Sequence, residues 1–211
     1  MSHRVTFALA AAALFAVLSG SAAAQSFEGR KKCSSCHKSQ AESWGDTAHA
    51  KAMESLKPGT KEEAKKKAKL DPKKDYTKDK DCVGCESCHG PGSKYRGIHR
   101  KSGAAYEKSK KTTPRSTLAE AGQDFAFEES CNACHMNYEG SGWKGVKKPY
   151  TPYHPGVDKK YTFNFDKYVK DAKAMHEHYK LDGTFTGDPK FKYHDDFQST
   201  AKVGEKTAVE D

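Results

Sequence analysis

The chain has 211 residues, 37 of them Lys or Arg and 28 Asp or Glu, with a formal net charge of +9 and a mean hydropathy of −0.93. Past residue 24, Leu, Ile, Val and Phe together number only 19, far below what a chain of this length needs for an aliphatic core. Those figures exclude a membrane protein with several spans, a large cytosolic enzyme and an ordinary all-aliphatic fold; one domain is the expectation for this length.

The first segment reads as a targeting signal. Arg4 supplies a short positive start, Val5 to Leu18 is apolar apart from Thr6, and Ala22-Ala23-Ala24 offers a small-residue cleavage site. The apolar run is too short to span a bilayer, so residues 1–24 are expected to be a cleaved Sec-type leader, with an uncleaved anchor as the rival reading. Residues 25–211 then form a single domain in the periplasm, where cysteines ordinarily become disulfides.

The seven cysteines do not fall into a disulfide pattern. Cys33-Ser-Ser-Cys36-His37, Cys85-Glu-Ser-Cys88-His89 and Cys131-Asn-Ala-Cys134-His135 are three copies of C-x-x-C-H, the attachment signature of c-type haem. Two thiols at that spacing form thioethers with one porphyrin, and the next residue places its imidazole under the iron. Zinc is the competing reading, but zinc sites pair two C-x-x-C units or add a distant His pair, whereas each C-x-x-C here is followed directly by its own His. Three covalent haems, each a broad apolar plate, would supply the core that the side chains cannot. The expected fold is a small, mainly α multihaem cytochrome with its haems as the core and little or no sheet.

Between the motifs, Ser39 to Leu56 reads as one helix closed by Pro58-Gly59, with His49, Met53 and Leu56 on one face. Ten Lys against five acidic residues lie between Lys57 and Lys80. Most such runs are solvated surface, yet a basic face also speeds encounter with an acidic redox partner. Tyr76 is the single aromatic residue in the run, too few for the interleaving of a nucleic-acid site, so nucleic acid is not an expected partner.

Cys82-Val-Gly-Cys85-Glu-Ser-Cys88 resembles the start of a ferredoxin run, but position 92 is Gly and Glu86 stands where a proximal His would follow Cys85. Cys82 therefore reads as a spare thiol. His99 sits in Gly97-Ile98-His99-Arg100, read as a glycine-rich turn. His154, between Pro152 and Pro155, reads as a loop residue. Phe165, Val169, Ala172, His176 and Tyr179 share one stripe of an expected helix from Asn164 to Lys180, with His178 off that face. His194 beside Asp195 and Asp196 is ambiguous, and Met53 and Met175 are alternative ligands. Residues from Thr200 onward are expected to fray.

Four segments carry a family resemblance. They are Phe27-Glu-Gly-Arg-Lys-Lys-Cys-Ser-Ser-Cys-His37, Trp44 through His49-Ala-Lys-Ala-Met53, Cys85-Glu-Ser-Cys-His-Gly-Pro91 and Ala174-Met-His-Glu-His-Tyr179. Together they resemble the cytochrome c-554 family of ammonia-oxidising bacteria, over essentially the whole mature chain. The resemblance implies a mostly helical periplasmic carrier that accepts electrons from hydroxylamine oxidoreductase and passes them towards membrane cytochromes and quinone. It also implies His99 opposite the Cys33/Cys36 haem, His49 opposite Cys85/Cys88 and His176 opposite Cys131/Cys134. Family members carry four haems. Here Cys82-Val-Gly-Cys85 runs directly into the next motif, and the haem so lost resembles the five-coordinate one of the family. Two function classes follow: an electron carrier with every iron six-coordinate, or a small reductase of nitric oxide or hydroxylamine with a vacant position. Six further histidines for three irons favour the carrier, and nothing resembles a conventional nucleophile, carboxylate pair or phosphate loop.

Overall fold

The computed structural model describes residues 25–67, 71–73 and 83–204. The leader, Cys82 and the last seven residues lie outside them. The described residues form short helices joined by long, hydrogen-bonded turns: α1 (Arg30–Ser34), α2 (Lys38–Gly45), α3 (Glu62–Lys67), α4 (Cys85–His89), α5 (Tyr95–Ser109), α6 (Arg115–Glu120), α7 (Glu128–His135), α8 (Phe165–Tyr168) and α9 (His194–Thr200). Two strands of two residues each, β1 (Thr113–Pro114) and β2 (Phe185–Thr186), pair in parallel with Thr113 opposite Phe185. The protein is thus mainly α with a vestigial sheet, as its composition implied.

The long helix is α5, and it overturns the reading of residues 97–100 as a turn. Gly97 and Gly103 each cost a helix roughly 1 kcal/mol relative to Ala. What offsets that cost is a stripe of Tyr95, Ile98, His99 and Ser102 facing α6 and β2. Tyr95, Leu118 and Ala121 form a buried cluster there, with Ile98, Phe125 and Phe185 packed against it. A second cluster gathers Phe165, Val169 and Phe191 with Phe127, Phe163, Tyr193 and Phe197. The protein's own core is therefore two small, largely aromatic knots.

Two expected helices break early, for local reasons. The helix predicted from Ser39 to Leu56 stops at Gly45. The buried Thr47 hydroxyl donates to Trp44 O at 2.7 Å and accepts from Ala50 N at 3.2 Å, a side-chain turn that replaces helical bonding. The chain resumes as a 3-10 helix at Ala52–Leu56, leaving His49 in the turn. Likewise the helix predicted from Asn164 to Lys180 ends after Tyr168. Asn164 caps it by accepting from Lys167 N, Asp171 then folds back on Lys173 N, and residues 178–180 run extended beside Lys202. That pairing also ties down the start of the segment expected to fray.

The lysine run is not wholly solvated. Lys65 is 1% exposed, its ammonium donating to Lys57 O and to Thr60 Oγ1, so its stem packs inside while its charge finds oxygen.

Leu118, 2% exposed at the centre of the first cluster, gives a direct test of how much that knot contributes. Leu118→Ala is expected to destabilise the folded protein by about 3 kcal/mol. Guanidinium titration followed by far-UV circular dichroism should show a lower midpoint with an unchanged slope.

Candidate haem centres

Each C-x-x-C-H ends a short helix or starts the turn after one. In α4 the motif is the whole helix, and in α7 Cys131, Cys134 and His135 fill the last turn. One helical turn separates the two thiols of each motif, so both sulfurs face the same edge with the histidine beside them. None of the six described cysteines is in a disulfide. Helix α4 sits centrally and packs against both α1 and α7. The thiols of Cys33 and Cys85 interact directly, which pushes Cys33 up and Cys85 down to about 7, whereas burial pushes Cys88 up to about 11 and Cys131 to about 12.

Each motif histidine faces a second histidine from a distant part of the chain. Ring centroids are 6.3 Å apart for His37 and His99, 6.4 Å for His89 and His176, and 5.9 Å for His135 and His49. These spacings suit a metal held between the rings, although packed rings also reach them. A metal–imidazole bond is about 2 Å long, so two rings on opposite sides of one metal have centroids about 6 Å apart. Closely stacked rings sit nearer, as His178 does on Phe197 at 3.8 Å. The donors thus come in opposed pairs with room for one iron between them. Among the described residues, no group of three His, Cys, Asp or Glu converges on a metal.

The outer nitrogens fit the same picture. His99 Nε2 pairs with Gln123 Oε1 at 2.9 Å, His176 Nδ1 pairs with Glu177 O at 2.7 Å, and His49 is hydrogen-bonded to the backbone of Ala174. An imidazole that donates one N–H to an oxygen keeps its other nitrogen as a free lone pair, oriented for a metal. Burial disfavours the charged form of five of the histidines. His89 and His135 are each pushed down to about 4, first by desolvation and then by facing histidines; His37, His49 and His99 are lowered for the same first reason. The residues present therefore fit haem c.

The structure exchanges two of the pairs that the resemblance implies. His176, not His49, faces His89; His49 faces His135. The cause is the strap at 174–177. Glu177 N donates to Ser43 Oγ at 3.0 Å, pinning the strap to α2 and presenting His176 to α4, while Ala174 one step earlier accepts the outer N–H of His49. One short strap therefore serves two centres. His176 does reach a motif histidine, but through a turn and not through the helical stripe that first singled it out.

The remaining histidines are occupied elsewhere. His194 lies between Arg115 Nη2 at 3.2 Å and Asp195 Oδ1 at 2.8 Å, His154 stacks on Tyr138, and His178 stacks on Phe197. Residues the sequence did not single out complete the sites: Phe185 and Tyr95 against His99, Phe127 against His89, and Phe163 stacked on His135 at 4.5 Å. Asp124 joins two of them. Its N–H donates to His89 O, and its carboxylate accepts from Ala126 N and Ser130 Oγ at the start of α7. Gly90, at φ +80°, lets this loop approach; a Cβ there would lie 2.3 Å from Gly122 O.

Comparison with known proteins agrees with this arrangement. The family model described as cytochrome c554 and c-prime matches residues 32–89. Cytochrome c-554 of Nitrosomonas europaea is 61% identical over 233 residues, covering 98% of this chain and 99% of that protein. The chain belongs to the cytochrome c-554 family. The solved structure of reduced cytochrome c554 from the same organism superposes with a TM-score of 0.77 at 64% identity, covering 85% of this chain and 99% of that one. The 233-residue alignment is longer than this chain, so the relative has residues that this family member lacks. The protein is accordingly a c-type cytochrome with covalently bound haem c, an electron carrier and not an enzyme.

The exchanged pairing predicts which iron each distal histidine serves. His176→Ala is expected to convert the haem on Cys85 and Cys88 to a high-spin ferric centre, visible by EPR and reversed by added imidazole. His178→Ala, two residues away, should leave every haem low-spin.

Proposed function

We propose that the mature chain, residues 25–211, is a periplasmic three-haem electron carrier that takes electrons from hydroxylamine oxidoreductase and hands them to a downstream cytochrome c or membrane-bound cytochrome. The observation that carries this reading is the set of three opposed histidine pairs, at 5.9–6.4 Å, one per C-x-x-C-H motif. Cys33 and Cys36, Cys85 and Cys88, and Cys131 and Cys134 hold the three porphyrins. His37, His89 and His135 are the proximal ligands, with His99, His176 and His49 opposite them. Haem c supplies the one-electron iron couple. The chain's own residues would orient the imidazoles toward a bound haem, pack Phe127, Phe163 and Phe185 against His89, His135 and His99, and by burial favour the neutral form of His89 and His135.

A second histidine facing each motif histidine would leave a bound iron no position for substrate, which supports a carrier over a reductase of nitric oxide or hydroxylamine. The names of the relatives, cytochrome c-554, support an electron carrier. Export is supported by the leader pattern in residues 1–24. Among the described residues no helix is long and apolar enough to cross a membrane. The full chain's net charge of +9 supports an acidic protein partner.

Two measurements test the reading. Intact mass of the exported protein is expected to equal the chain from Gln25 plus three haems. A fourth haem would mean attachment through Cys82, and two would remove one of the assigned centres. Stopped-flow reduction by hydroxylamine oxidoreductase should slow steeply as ionic strength rises, because exposed charges act over only about 10 Å at 0.1 M salt. Lys61→Glu with Lys66→Glu should reproduce that slowing at low salt. A rate flat across salt concentrations would count against electrostatic docking.

A further inference from the structure

We propose that Glu86 is a positioning residue: its buried carboxylate clamps the segment leading into the first haem motif onto the second, and its charge sets the first two haems apart in potential from the third. The proposal rests on the three-haem reading above but concerns a residue outside the ligand sets.

Glu86 is the first intervening residue of the second motif and is 7% exposed. Its carboxylate accepts from Glu28 N at 2.9 and 3.0 Å, from Gly29 N at 2.8 Å and from Gly92 N at 2.6 Å. Three backbone N–H groups thus converge on one carboxylate, an anion nest assembled from two separate stretches of chain. Gly92 is part of its construction, since a Cβ there would lie 2.9 Å from Glu86 Oε1. Gly29, held by this clamp, is the residue before α1, and its carbonyl receives the Cys33 thiol at 3.8 Å. One side chain therefore fixes the position of the first motif relative to the second.

No cation pairs with Glu86 among the described residues. The neighbouring cations are taken by Glu28, which bridges Lys32 at 2.8 Å and Arg96 at 3.1 Å. A buried carboxylate neutralised only by dipoles projects its charge through a medium of low effective dielectric. Glu86 adjoins Cys85 in the chain, and its nest holds Gly29, whose carbonyl lies 3.8 Å from the Cys33 sulfur, so the carboxylate sits next to the first sulfur of each of the two motifs. The third motif lies beyond α4, on α7.

An anion beside a haem favours ferric over ferrous iron and lowers its potential. The consequence is directional. The first two haems are biased to give electrons up, and the third to receive them. With haem bound, the loss of one electron at one iron would be matched by the gain of one electron at the next.

The test compares three-haem wild type with Glu86→Gln and Glu86→Asp by spectropotentiometry, with EPR assigning each haem. Glu86→Gln is expected to raise the first two haems relative to the third by about tenfold in the electron-sharing equilibrium, about 59 mV for one electron. Glu86→Asp keeps the charge and should stay within twofold of wild type. Equal potentials in Glu86→Gln and wild type, with only a lower denaturation midpoint, would reduce Glu86 to a structural role and overturn the bias. Should Glu86→Gln not assemble, hydrogen exchange on the wild type decides the clamp: the amides of Glu28, Gly29 and Gly92 should be among the slowest, and exchange at open-chain rates overturns it. Intact mass separates the two levels of failure. Wild type lacking haem at Cys33 or Cys85 sinks the three-haem reading and this proposal together, whereas three-haem wild type with an inert Glu86→Gln sinks this proposal alone.

Discussion

Everything in this protein depends on one distance: about 6 Å between the imidazoles of each opposed pair. That separation lies within the range of packed rings and also suits a metal with a ligand on either side. It imposes an organisation on the chain, because each pair joins a motif histidine to one far away in sequence: 37 to 99, 89 to 176, and 135 to 49. A fold that must close three such long loops does not need extensive secondary structure. It needs short helices that hold sulfur pairs, turns that aim imidazoles, and hydrogen bonds that stop those turns from drifting. The structure consists of little else, which is why its longest described helix is the 15-residue α5 and its sheet has two residues per strand.

Energetically the same constraint explains the sparse interior. Two clusters built on Tyr95, Leu118 and Ala121 and on Phe165, Val169 and Phe191 are too small to stabilise a domain of this size by side-chain burial alone. Covalent porphyrins supply the missing apolar surface and, through their thioethers, restrict the unfolded chain as cross-links do. The polar interior follows suit. Glu86, Thr47, Lys65 and Arg115 are all buried, and each is satisfied by backbone groups that would otherwise be orphaned in irregular chain. In a protein of turns, buried polar side chains take over part of the work that ladders and helical bonds do elsewhere.

The 174–177 strap shows how closely the centres are coupled. Within a few residues it supplies an acceptor for His49, an axial candidate in His176, and a backbone N–H fixed to Ser43. Asp124 plays the corresponding part between His89 and α7, and Glu86 between α1 and α4. Such shared supports keep adjacent centres in register, and fixed geometry is what a carrier requires, since transfer between centres depends on their spacing and orientation.

Much of this was legible in the sequence, and the division has a physical basis. The C-x-x-C-H motifs are local chemistry: two thiols and an imidazole must be neighbours in sequence to seize one porphyrin, so spacing alone names Cys33, Cys36, His37 and their counterparts. The shortage of aliphatic residues likewise announces a cofactor core. Distal partners are different, because nothing local specifies which of six further histidines faces which iron. Periodicity singled out His176 through a helix that Asp171 and the 178–180 pairing prevent, and placed His49 in a helix that Thr47 breaks. His99, read as part of a turn, lies on α5 because its face packs against Leu118 and Phe185 in spite of two glycines. Gln123, Phe127, Phe163 and Glu86 gave no signal in one dimension, since each acts on a residue brought to it by the fold. The sequence by itself pointed to the cofactor and nominated its attachment points and proximal ligands; only the tertiary structure set which histidines face each other, because that is a contact in space between segments that no spacing rule connects.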